Sequence, residues 1–90
     1  MKTIYKYPLE ITDYQYVRLP IRSKIISVGN QNGRLVLWAM VDTSQTEYDR
    51  SVIIKGTGNP IESEELTGYT YIGTVQIAWL VWHVFIGEAI

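Results

Sequence analysis

His83 is the only histidine in the chain. It sits in AWLVWHVFIG, residues 78–87, flanked by Trp79, Trp82 and Phe85. An imidazole in that setting could act as a general base or ligate a metal. A histidine base works with a nucleophile or an orienting carboxylate within hydrogen-bond reach. A zinc site takes three or four His, Cys or carboxylate ligands, and this sequence offers one His and no Cys. The ligand arithmetic favours a packed histidine with one satisfied nitrogen, in a core or an interface. No catalytic residue, metal ligand or cofactor is assigned.

KGTGNPIESEE, residues 55–65, raises two other chemistries. A glycine-rich loop entering a helix can cradle an anion on its backbone N–H groups, which makes Gly56, Thr57, Gly58 and Asn59 a possible anion loop. The dinucleotide pattern fails because Ile61 stands where its third glycine belongs, and no GK[ST] follows. Glu62, Glu64 and Glu65 form an acidic cluster that could imitate phosphates toward a basic partner. Three neighbouring glutamates are more often a solvated face, and adjacent loop carboxylates give no reason to expect the fixed separation that glycoside hydrolysis needs. The sequence argues against an enzyme.

The elements that must carry these residues read as strands. KTIYKYPL alternates, with Ile4 on the side of Lys2 and Lys6, and Tyr5 and Tyr7 opposite; Pro8 suits an edge strand or a strand end. In YQYVRL, Tyr14, Tyr16 and Arg18 share one face, and Val17 and Leu19 the other. KIISVGNQ and RLVLWAMVD flank Asn32-Gly33, which predicts a hairpin with a type I′ turn. The second arm is apolar on both faces, so both are covered.

DTSQTEYDR, residues 42–50, reads as a loop, followed by a strand SVIIKG. PIESEEL, residues 60–66, is the one helical candidate, with Asn59 as cap and Pro60 in the first turn. YTYIGTVQI and AWLVWHVFIG are separated by no two-residue turn signal, and the break is expected near Gln76 to Ala78. The expected fold is all-β, or β-rich with one short helix: a compact antiparallel β-sandwich or small barrel of six to seven strands, as a single domain over residues 1–90.

In the last strand Trp79, Val81, His83 and Phe85 share one face, and Leu80, Trp82, Val84 and Ile86 the other. Both are apolar. Trp79, Trp82 and Val84 are therefore candidates for self-association in a homodimer, the more hydrophobic class of interface; closure of a small barrel by the same residues stands beside that reading. The run is half the ~20 residues that a membrane helix needs, so no membrane partner is expected.

The bulk numbers set the class of partner. Ninety residues carry eight Lys and Arg against nine Asp and Glu, a formal charge of −1, with the basic positions dispersed along the chain. That argues against direct nucleic-acid binding, which draws on a basic excess. Hydrophobic residues make up 47% and charged ones 19%, with seven tyrosines and three tryptophans. Tyr and Trp enrich at protein interfaces. The N-terminus MKTIYKYPLE lacks the apolar core of a secretory signal, so a cytoplasmic location is expected.

MKTIYKYPLEITD, KIISVGNQNGRLVLWAMVD, GTGNPI and YIGTVQIAWLVWHVFIGE together resemble a family of small bacteriophage- and prophage-encoded proteins classed as a domain of unknown function. The resemblance implies a cytoplasmic setting in a host bacterial cell. It also implies stoichiometric inhibition of a host protein or defence complex, as an anti-CRISPR or related anti-defence factor. The candidate partner-binding residues are Tyr14, Tyr16, Tyr48, Tyr69, Tyr71 and Glu62, Glu64, Glu65. Two alternatives stand beside this: sequestration of a small nucleotide signal by the Gly56 to Pro60 loop with basic side chains at a subunit boundary, and a structural or assembly role in the phage particle.

Overall fold

A computed structural model describes residues 1–88. The Asn32-Gly33 hairpin is present: β3 (Lys24–Gln31) and β4 (Arg34–Asp42) pair antiparallel with Gln31 opposite Arg34. Asn32 and Gly33 have φ of 53° and 84°, the two positive values of a type I′ turn. Asn30 Oδ1 accepts the Gly33 N–H at 2.8 Å and holds the turn closed. β1 (Lys2–Pro8) pairs with the other side of β4, giving a three-stranded sheet of order β1-β4-β3. Pro8 thus ends an edge strand, where its missing N–H breaks no ladder.

The second sheet holds β2 (Tyr14–Pro20), β5 (Glu47–Gly56), β7 (Leu80–Gly87) and β6 (Tyr69–Ile77), all antiparallel, in the order β2-β5-β7-β6. Leu35, Leu37, Ala39 and Val41 of β4 meet Val17, Leu19, Val52, Ile54, Val84 and Ile86 of this sheet in one core. Truncating a fully buried member such as Leu37 to Ala costs about 2–5 kcal/mol. Among the described residues no ladder joins the two sheets, so the fold is a sandwich and not a closed barrel. The sheets come closest where Asn30 Nδ2 donates to Gln76 O at 3.2 Å. Beside that contact Gly73, at φ 156°, lies so near Val28 that a Cβ there would collide with its Cγ2.

Three expectations are corrected. PIESEEL is not a helix: Glu64 has φ 64°, and the chain runs through four-residue turns, with Glu65 N donating to Glu62 O and Thr67 N to Glu64 O. Two turns hold too few backbone bonds to resist such a break. The polar run 42–50 is a loop only to residue 46, because β5 begins at Glu47 and pairs with β2. Arg18 lies opposite Asp49 in that pairing, and the two charges lie 3.4 Å apart across the strands, which gives a polar segment a reason to be a strand. Finally, the break falls at Ala78, within the span expected, with Ile77 facing Leu80, but Trp79 is not a strand residue sharing a face with Val81: with Ala78 it makes the two-residue loop of a β6–β7 hairpin. Ala78 takes φ 54°, a conformation the sequence does not advertise because glycine or asparagine is its usual occupant.

Candidate functional site

The outer face of the four-stranded sheet gathers residues from four separate parts of the sequence. Tyr14 is opposite Ile53, Ile53 opposite Phe85, and Phe85 opposite Tyr71, so one row runs Tyr14–Ile53–Phe85–Tyr71 across all four strands. The adjacent row brings Tyr16 opposite Ser51 and Tyr69 opposite Gly87. Tyr69 reaches over Gly87 to donate its hydroxyl to Ser51 Oγ at 2.8 Å; a Cβ on Gly87 would strike that Ser51 Oγ and touch the Tyr69 ring.

Tyr14, Tyr16 and Tyr71 are more than half exposed, while Ile53 beneath them is only 3% exposed. The rings are fixed against one another. Tyr14 and Tyr16 pack edge-on at 5.3 Å, and Tyr71 and Phe85 at 5.6 Å with a 56° tilt. The hydrogen bond that Tyr14 makes to Tyr16, helped by desolvation and the neighbouring Tyr16 and Tyr69 phenols, pushes the Tyr14 phenol up to about 12.

Below this aromatic half lies a polar one. Lys55 and Thr74 flank His83 in register. Thr57 Oγ1 lies 2.8 Å from His83 Nε2 and Thr74 Oγ1 2.9 Å from Nδ1, and Thr74 is also bonded to the Tyr71 hydroxyl. Both ring nitrogens are satisfied, where the sequence suggested one. A neutral imidazole has one donor and one acceptor, so one threonine accepts from the ring and the other donates to it. No carboxylate bonds to either nitrogen among the described residues. The histidine fastens the 57–68 segment to β6 and β7.

Lys55 is 8% exposed and pairs with Glu65 at 2.8 Å. That hydrogen bond and charge hold the Lys55 ammonium above its usual range and the Glu65 carboxyl below its own.

The other predicted site residues separate. Tyr48 lies opposite Leu19 on the core side, and its hydroxyl is buried without a hydrogen-bond partner. Glu62 and Glu64 are exposed at the rim, whereas Glu65 is engaged by Lys55. The self-association trio points three ways. Val84 is 0% exposed inside the chain's own core, Trp82 packs against that core over Gly56, and Trp79 is 95% exposed at the hairpin tip. Val84 thus offers nothing to a partner. The apolar second face of the last strand is explained by the core it closes.

The Gly56 to Asn59 loop is no anion cradle. The Gly56 N–H donates to Asn59 Oδ1, Thr57 N–H to Val81 O, and Asn59 N–H to Gly56 O. Three of its four backbone donors are already engaged.

A family model described as a domain of unknown function, DUF7352, matches residues 1–89. The chain belongs to the DUF7352 family. No curated protein and no solved structure matches it. No helix of the DUF7352 chain is long and apolar enough, among the described residues, to cross a membrane. The tyrosine alternation at 14/16 and 69/71 was visible in its sequence. Ile53, Phe85, Thr57 and Thr74 were not, because only the strand order β2-β5-β7-β6 brings them beside the tyrosines.

Proposed function

We propose that the DUF7352 chain is a non-catalytic interaction protein that binds a host protein stoichiometrically through the tyrosine face of β2-β5-β7-β6, and by doing so inhibits a bacterial defence complex. The observation that carries the reading is the aromatic row Tyr14–Ile53–Phe85–Tyr71, in which exposed Tyr14 and Tyr71 flank buried Ile53 and half-buried Phe85, with exposed Tyr16 and half-buried Tyr69 beside it. Tyrosine supplies large contact area with few rotors to immobilise. Here mutual hydrogen bonds restrict those rotors before any partner arrives, which lowers the ordering cost of association. Glu62 and Glu64 lie at the polar rim, where charge steers encounter more than it adds affinity.

The phage setting and the defence target rest on the sequence resemblance, and the face supplies the means. In this reading a homodimer forms at the hairpin tip, where Trp79 and Leu80 are 95% and 58% exposed. That leaves the tyrosine face free.

The test is capture from bacterial lysate with the tagged chain, followed by binding measurements on the captured protein. A nucleic-acid-targeting defence complex held at a fixed ratio is expected. Tyr14→Ala with Tyr71→Ala should weaken binding about 30-fold or more, as for residues at the centre of an interface, with the melting temperature little changed. Unaltered affinity in that variant overturns the tyrosine face as the binding surface.

A further inference from the structure

The opposite side of the sandwich carries a different chemistry. Five of the chain's eight basic residues line two clefts on the outer face of β1-β4-β3, although they are scattered in sequence. In one cleft Lys6 is bonded to Gln31, and Arg34 pairs with Glu10 at 3.5 Å. In the other, of about 320 Å³, Lys2, Arg22 and Lys24 line the walls together with Ile21 and Met40. No ion pair among the described residues involves any of these three cations. The one carboxylate of this cleft, Asp42, accepts hydrogen bonds from Ser44 N–H at 3.1 Å and Ser44 Oγ at 2.7 Å, and from the chain's amino group. All three bonds fall on its Oδ1.

Arg22 is held there against its backbone preference. Ser23 N–H donates to Pro20 O at 3.2 Å, closing a turn in which Arg22 has φ 64°. A positive φ at the third residue marks a type II turn, where glycine or asparagine is usual. Strain of this kind persists where the surrounding structure over-determines it, and here the Pro20–Ser23 turn fixes Arg22 at the mouth of the cleft.

We propose that the Lys2–Arg22–Lys24 cleft binds a phosphate-bearing small molecule of about mononucleotide size. The guanidinium of Arg22 meets two phosphate oxygens in its planar fork, and the ammonium groups of Lys2 and Lys24 neutralise the remaining charge. The organic part lies on Met40 and Ile21. The cleft is at the small end of the range for such sites. The site is independent of the tyrosine face, from which it is separated by the core.

Calorimetric titration of the full chain with adenosine monophosphate and with inorganic phosphate tests it. Saturable one-to-one binding of the nucleotide, tighter than that of phosphate, is expected. Arg22→Gly should lose at least tenfold in affinity while melting no lower than the parent, because glycine relaxes the turn. Lys24→Glu should abolish binding. The proposal is overturned if neither probe saturates, or if both variants bind as the parent does. It is equally overturned if only a single-stranded oligonucleotide or an anionic vesicle binds.

Discussion

Tyr14 donates its phenolic hydrogen to Tyr16 Oη at 2.8 Å, and the two rings meet edge to face 5.3 Å apart. Side chains two apart on a strand lie on the same face, so this contact is local. Tyr69, from the far edge of the sheet, adds to the raised value of the Tyr14 phenol. The result is a pair of exposed aromatic rings with a defined relative orientation.

A spectrophotometric titration of the tyrosines should therefore show one phenol ionising late, at about 12, well above the ordinary value of 10.0. Tyr16→Phe removes the acceptor, and the late phenol should move back toward the others. A folded-state value raised above the unfolded one gives a stabilising contribution that is complete below the unfolded value. It is lost as pH rises through the folded value. The tyrosine pair thus supports the fold throughout the neutral range, and unfolding by alkali should come earlier in Tyr16→Phe.

Glu65 and Lys55 give the acid counterpart. Glu65 titrates below its ordinary 4.5 because Lys55 and the Glu62 N–H bond to it. A depressed carboxylate contributes stability that is present above the unfolded value and lost as pH falls through the folded one. Lys55, raised above 10.5 by the same partner, keeps its share until strongly alkaline pH. Glu65→Gln should melt below the parent at neutral pH, and the gap should narrow as pH falls below the ordinary carboxylate range. A gap of constant size would show that the charge of Glu65 is not what holds the 57–68 segment down.

Ala78→Gly should raise stability. Ala78 is at φ 54° in a two-residue loop, a conformation that costs an L-residue about 1–2 kcal/mol. Glycine gives back ~0.5–1 kcal/mol as unfolded-state entropy. The net gain of about 0.5–1 kcal/mol corresponds to ~3–6 °C in a domain of this size, read from a thermal melt. No gain would mean that the turn is not the tight one described.

Much of the fold could be read from local pattern. Asn32-Gly33 announced its hairpin, Pro8 its edge strand, and the alternation around Tyr14 and Tyr16 the face they share. What escaped was set by pairing between distant segments. Glu65 reads as one of three solvated acids until β5 places Lys55 beneath it. Lys2, Arg22 and Lys24 read as dispersed charge until β1 and β3 flank β4. The break near Ala78 was legible but its two-residue form was not, since Ala and Trp carry no turn signal and the ladder on either side imposes the conformation. The apolar character of the last strand was legible, but a two-layer core buries Val84 without a second chain.

The placement of β7 between β5 and β6 has a consequence for biosynthesis. Phe85 occupies the middle of the aromatic row, and both of its neighbouring strands hydrogen-bond to the segment that carries it. Tyr14 and Tyr16 leave the ribosome early, yet they have no assembled surface to belong to until residues 80–87 have followed and slotted into the gap. A nascent or truncated chain therefore lacks the tyrosine face, which is completed in a single late step with the closing of the sheet.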